Sequence, residues 1–227
     1  MKKYYHLPIK KRLTFLSAAV VVGGFLFIPF LVSDSSSNIN AELKSITEFI
    51  LISTLITALT AWAGLRFADR IEIRMPVLRN WELSHSINHD DIRHIIIKSV
   101  LFGLFIAALV LAGNYIMHPP TNPGSFLARI STTIWAALVT ETVAHLFVLS
   151  GLILLIKNKW AAIIISGLVF VVLFHLNSNY SRIMEIYLAT VNFLPAIVTG
   201  YLFVTEGFEC AVLTHMIMHF FMLAINK

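Results

Sequence analysis

Cysteine is almost absent. Cys210 stands alone in 227 residues, so neither an intrachain disulfide nor a cysteine-based zinc cluster can form. Charge is scarce as well: 13% of residues are Asp, Glu, Lys or Arg, against about a quarter in soluble domains. Hydrophobic residues make up 58%. This composition excludes an ordinary soluble domain, because so apolar a chain needs lipid as its solvent. The formal charge of +5 is modest and its Lys and Arg gather in connections, which excludes the basic face of a nucleic-acid binder. No internal repeat, low-complexity tract or interdomain linker is present, so residues 1–227 read as a single integral membrane domain. The first apolar run, "LTFLSAAVVVGGFLFIPFLV", follows a basic start but no clean Ala-x-Ala follows it. It reads as a retained span and not a removed signal peptide.

What is present is a series of long apolar runs. Crossing the hydrocarbon takes about 20 helical residues, and runs of that order lie at 13–32, 46–65, 97–117, 126–156, 160–176, 187–204 and 209–226. They predict an all-α, polytopic transmembrane helical bundle of seven or eight helices, the fourth run being long enough to break in two. Lys2, Lys3, Lys10, Lys11 and Arg12 precede the first run, and Arg66, Arg70, Arg74, Arg79, Arg93 and Lys98 lie between the second and third. Lys157 and Lys159 follow the fourth, whereas "VSDSSSNINAELK" and "HPPTNPGS" carry almost no basic residue. The positive-inside rule then places the N-terminus in the cytoplasm and the chain in a bacterial-type cytoplasmic membrane.

Two features of the connection after the second run stand out. Arg66, Arg70 and Arg74 recur at helical spacing with Ile71, Ile73, Met75 and Leu78 among them. That pattern suits either a helix lying on an anionic leaflet or an Arg-rich loop anchoring the adjoining spans. Further on, "NHDD" has the form of a helix start, with Asn88 as cap and Asp90 and Asp91 in the first turn.

Within the apolar runs five residues are out of place: Glu141, His145, His175, His215 and His219. Glu141 and His145 form an i, i+4 pair on one stripe, as do His215 and His219. Ionisable groups inside membrane helices face the bundle interior or a wet cavity and are functional candidates by default. A carboxylate and imidazoles around one pocket suit activation of a water for hydrolysis, alone or on a divalent metal such as zinc. Under the metal reading Glu141, His175, His215 and His219 are the ligands. "HMIMH" lacks the Glu of the His-Glu-x-x-His signature, Met216 standing in its place, so a general base has to come from Glu141 on another span. The plain alternative is packing: Glu141 bonded by Thr140, Thr142 or a neighbouring His, and each His by a helix contact. Ser150 in "LSGLIL" is the nearest thing to a serine nucleophile, and nothing pairs it with a base.

The order of a Glu-bearing helix, a helix ending in His and then "GYLFVTEGFECAVLTHMIMH" resembles the CPBP (CAAX protease and bacteriocin-processing) family of intramembrane proteases. The likeness covers roughly residues 66–226. The family's motifs are Glu-Glu-x-x-x-Arg, Phe-x-x-x-His and His-x-x-x-Asn or Asp. Glu141, His175 and His215 agree with them. Thr140 stands where the first Glu belongs, His145 where the Arg belongs, Val171 where the Phe belongs and His219 where Asn or Asp belongs. The resemblance implies a divergent intramembrane endopeptidase with catalytic residues Glu141, His145, His175, His215 and His219. Its substrate would be a membrane-associated peptide or lipidated protein, a prenylated tail among them. Loss of the first Glu leaves open the alternative of an inactive membrane scaffold.

Overall fold

The computed structural model describes residues 9–32, 39–82, 89–117, 126–175 and 181–225. All regular secondary structure among them is helical. The long elements are α1 (Lys10–Val32), α2 (Ile39–Arg70), α4 (His89–Met117), α7 (Lys159–His175), α8 (Arg182–Thr205) and α9 (Phe208–Ile225), with a short α3 (Pro76–Glu82) after α2. The fourth apolar run is one continuous rod. Within it α5 (Phe126–Thr140) passes into a π-helical segment, Glu141–Leu149, and then into α6 (Ser150–Ile156).

Among the described residues four stretches are long and apolar enough to cross a bilayer: Leu51–Arg70, His89–Met117, Thr133–Ile156 and Arg182–Thr205. Lys159–Val172 and Phe208–Leu223 are apolar but shorter. The surface agrees with a lipid solvent. Leu51, Leu55 and Leu59 on α2, Ile97, Leu101 and Phe105 on α4, and Ile164, Leu168 and Val172 on α7 form exposed stripes at four-residue spacing. Buried inside are Thr57, Ser99, Thr133, Thr142, Ser150, Ser166, Thr199 and Thr214. Apolar outside with small polar residues inside is the pattern of helices packed in a membrane, where close backbone approach and interhelical hydrogen bonds replace the hydrophobic drive. Ser99 Oγ donating to the Cys210 carbonyl at 3.1 Å is one such link between α4 and α9.

Helix ends follow local chemistry. α2 starts at Ile39, earlier than its apolar run, because "INAELKS" is made mostly of good helix formers and contains no Gly or Pro to stop it. α4 opens with Asp90 and Asp91 in its first turn, as the sequence predicts; Asn88, the expected cap, lies outside the described residues. Ser181 caps α8 by accepting from the Met184 N–H at 3.4 Å. Gly207, with φ of +112°, turns α8 into α9 and lies against the Arg74 carbonyl, where a side chain would clash.

The Arg-rich connection is not a helix lying on a membrane surface. α2 runs on to Arg70, and the chain then leaves helical geometry until Pro76. Ile73, Met75 and Leu78 are buried in the main hydrophobic cluster with Leu65, Leu149 and Phe208. Three apolar side chains that would have faced lipid headgroups instead close the end of the bundle, held by the Leu78 N–H donating to Glu209 Oε1 at 2.9 Å.

At that same end the α1 start, the α2 end, α3, the α4 start and the α8–α9 turn are pinned by charge. Arg12 spans to Asp69, and Arg79 joins them. Glu206 accepts from Lys98 at 2.5 Å and lies 2.9 Å from His94 Nε2. Burial would push the Glu206 carboxyl up, but the hydrogen bonds from Lys98 and His94 outweigh it and hold it below the ordinary glutamate value. A depressed carboxyl contributes stability above its unfolded value, and that contribution is lost as pH falls through the folded one. The thermal midpoint should therefore drop on acidification through the range below the usual glutamate value, and Glu206→Gln should remove that part of the drop.

Candidate active site

The rod and α9 bring four of the five out-of-place residues together. His145 Nδ1 lies 2.6 Å from Glu141 Oε2, and His215 Nδ1 lies 2.7 Å from Glu141 Oε1. His219 Nε2 is 3.0 Å from His215 Nε2, and the two rings stack with centroids 4.9 Å apart. One carboxylate thus joins an imidazole of its own rod to another, on α9, that lies 74 residues from Glu141 in sequence. The fifth residue, His175, ends α7, and its side chain lies outside the described residues.

Donor and acceptor roles follow from the partners. The Ala196 carbonyl, 3.3 Å from His145 Nε2, can only accept, so that nitrogen carries a hydrogen. His145 and Glu141 then share one further proton between Nδ1 and Oε2. A His215 N–H donating to Glu141 Oε1 leaves His215 Nε2 as acceptor for the His219 Nε2–H. The result is a continuous chain of hydrogen bonds, His219 to His215 to Glu141 to His145 to the α8 backbone. Glu141 is wholly buried and His145 nearly so, whereas His215 and His219 are partly buried.

Several features hold this geometry. Glu141 opens the π segment and His145 is its fifth residue. The wider π turn leaves backbone carbonyls that side chains must satisfy, and single π turns inside helices are frequent at functional sites. Ser166 Oγ from α7 donates to the Ala144 carbonyl at 3.2 Å, and Ser150 Oγ donates to the His145 carbonyl at 3.3 Å. Gly64 of α2 lets that helix pack directly on the segment: a Cβ there would sit 2.5 Å from the Leu146 carbonyl oxygen.

On α8, Gly200 makes room for the His145 ring, since a Cβ would meet Nε2 at 3.2 Å and Cδ2 at 3.4 Å. Gly200→Ala is expected to push the ring off the Ala196 carbonyl and to cost about 1–3 kcal/mol, the usual penalty for an added methyl in a packed interior. Denaturant unfolding in detergent measures it, and an unchanged midpoint would show that the ring has slack.

The chain of side chains forms one wall of a cavity of about 240 Å³ enclosed by α4, the rod, α7, α8 and α9. Apart from that wall the lining is mainly apolar, including Val110, Phe170, Val191 and Met222. Asn192, Pro195 and Thr199 of α8 also line it. None of these three was singled out from the sequence, although an Asn and a Pro within one apolar run are a visible signal. The Asn192 amide donates to the Leu188 carbonyl at 2.8 Å, and Thr199 Oγ1 donates to the Pro195 carbonyl at 2.9 Å. In an apolar enclosure of this size, large enough for several waters, a carboxylate–imidazole–imidazole chain can take up and return a proton at a fixed position.

Among the described residues no three His, Cys, Asp or Glu side chains form a metal-ligand set. Both Glu141 oxygens and both His215 nitrogens are committed within the chain. A cation held by Glu141, His175, His215 and His219 would have to break the Glu141–His215 or His215–His219 bond. Comparison of the chain with known family models, curated proteins and solved structures finds no match.

Proposed function

We propose that the chain is an intramembrane hydrolase, a divergent endopeptidase of the CPBP type acting on a membrane-associated or lipidated peptide. The observation that supports this most directly is the contact of Glu141 with imidazoles of both the rod and α9 in the wall of an otherwise apolar cavity. In this reading a cavity water loses a proton to the His219–His215–Glu141 chain and its oxygen attacks the scissile carbonyl. The C–N bond then breaks, and the chain returns the proton to the leaving amine nitrogen. Glu141 places a carboxylate at the inner end of the chain, and His145, tied to the backbone of α8, fixes that carboxylate. In this reading the steps use water and side chains alone, the Glu141 oxygens and His215 nitrogens being engaged within the side-chain chain. Elemental analysis of the purified protein, with and without chelator, tests that choice. The basic end of the bundle faces the cytoplasm of a bacterial-type membrane on the positive-inside rule.

One observation favours a second reading. Glu141 is fully buried with both oxygens bonded to protein, which is also what an inactive scaffold would need to tie the rod to α9. Glu141→Gln separates the two. The hydrolase reading expects normal membrane abundance with cleavage of co-expressed lipidated and leader-type peptides lost, whereas no cleavage by the unaltered chain favours the scaffold and retained cleavage by the variant removes Glu141 as the base.

A further inference from the structure

The basic end of the bundle holds a second cavity, of about 300 Å³, that the hydrolase reading does not use. Its polar lining is Arg74, Arg79, Asn80, Asp91, His94 and Glu206, contributed by the α2–α3 connection, α3, α4 and the α8–α9 turn. Most of its charges are already matched. Arg79 donates to Asp69 at 2.9 Å, and Glu206 is held by Lys98 and His94. Two are not: Arg74 and Asp91 are exposed, and neither has a hydrogen-bond or ion-pair partner among the described residues. The backbone carrying Arg74 is nevertheless fixed, because its carbonyl accepts the Phe208 N–H at 3.2 Å and lies against Gly207. The pocket therefore presents one cation and one anion on a rigid frame.

Its level in the bilayer follows from α4. Ile96, Ile97, Val100 and Leu101, immediately after His94, are exposed and apolar, so hydrocarbon begins within about one helical turn of the cavity. That is where a phospholipid headgroup lies. We propose that this cavity binds a phospholipid headgroup carrying both a phosphate and a primary ammonium, that is, a phosphoethanolamine. The Arg74 guanidinium takes the phosphate oxygens, which its fork of N–H donors suits, and the Asp91 carboxylate takes the ammonium N–H groups. Phosphocholine offers no N–H to Asp91, and phosphoglycerol offers no cation at all.

Native mass spectrometry of the full chain in mild detergent, titrated with phosphatidylethanolamine, phosphatidylcholine and phosphatidylglycerol of equal acyl length, tests this. Retention of the ethanolamine lipid should exceed that of the other two by about tenfold, as expected for one charge-assisted contact. Asp91→Asn should erase that preference while leaving the other two lipids unchanged. Arg74→Gln should lower all three, with the thermal midpoint of the lipid-free protein unaltered in Arg74→Gln and lowered only slightly in Asp91→Asn, which gives up a charge in the first turn of α4. Equal retention of the three lipids by the unaltered chain, or insensitivity to both substitutions, overturns the proposal. So does displacement of the lipid by millimolar inorganic phosphate, which would make this a site for soluble phosphate esters.

Discussion

Glu141→Gln is expected to reduce peptide cleavage by about 100- to 10,000-fold, the range over which a positioned acid–base group acts, while leaving the chain folded in the membrane. The amide is nearly isosteric and keeps one oxygen for one of the two imidazoles. Its NH₂ group must then face the other. When it faces His145 it donates to Nδ1, the Nε2–H keeps the Ala196 carbonyl, and the amide oxygen still accepts from His215, so every bond of the chain is retained. The packing survives and the proton sink does not. Glu141→Asp provides a control of opposite design: the charge stays, but a side chain shorter by one methylene cannot reach both His145 and His215 at their present 2.6 and 2.7 Å. Activity intermediate between the unaltered chain and Glu141→Gln is expected. If Glu141→Gln cleaves as fast as the unaltered chain, the carboxylate is not the proton acceptor and the hydrolase reading fails at its base.

The parts of this fold that were legible are those governed by one-dimensional rules. Hydrocarbon thickness sets the length of apolar runs, and the limits of the rod and of α9 and the end of α4 lie close to where those runs place them, while α4 starts eight residues before its run, at the helix start that "NHDD" marks. The meeting of Glu141 with His215 was also anticipated, because two ionisable pairs on separate spans have few places to go but a shared interior. The π segment was not legible. "ETVAHLFVL" has no feature that separates a π from an α turn; the wider turn is accommodated by tertiary contacts, namely the close approach of Gly64 and the hydroxyls of Ser150 and Ser166. Gly200 could be read from the sequence as a motif neighbour, but its service to His145 depends on how α8 packs on the rod. The inward turn of Ile73, Met75 and Leu78 likewise comes from contacts with residues far along the chain, which no local periodicity reports.

Asp69→Asn is expected to destabilise the protein by about 3–5 kcal/mol, the cost of removing one partner from a buried ion pair. By position Arg12 is a loop cation ahead of the first span, yet its side chain is 0% exposed. It donates both terminal nitrogens to the Asp69 carboxylate, at 3.0 and 2.9 Å, across 57 residues of sequence. Arg79 donates to the same carboxylate at 2.9 Å, so one acid meets two guanidinium groups and clasps α1, α2 and α3. The asparagine variant keeps the shape but takes the Asp69 charge away from the buried Arg12 guanidinium. Arg79 loses less, since 20% of its side chain already meets solvent and it also donates to the Ile73 carbonyl. The double variant Arg12→Met with Asp69→Leu should recover most of the loss, because a well-packed apolar pair of similar volume often replaces a buried ion pair at little cost. Unfolding in detergent of Arg12→Met, of Asp69→Leu and of the double variant gives the coupling directly. A coupling near zero would mean that water reaches Arg12 and that the clasp contributes no more than an ordinary surface pair.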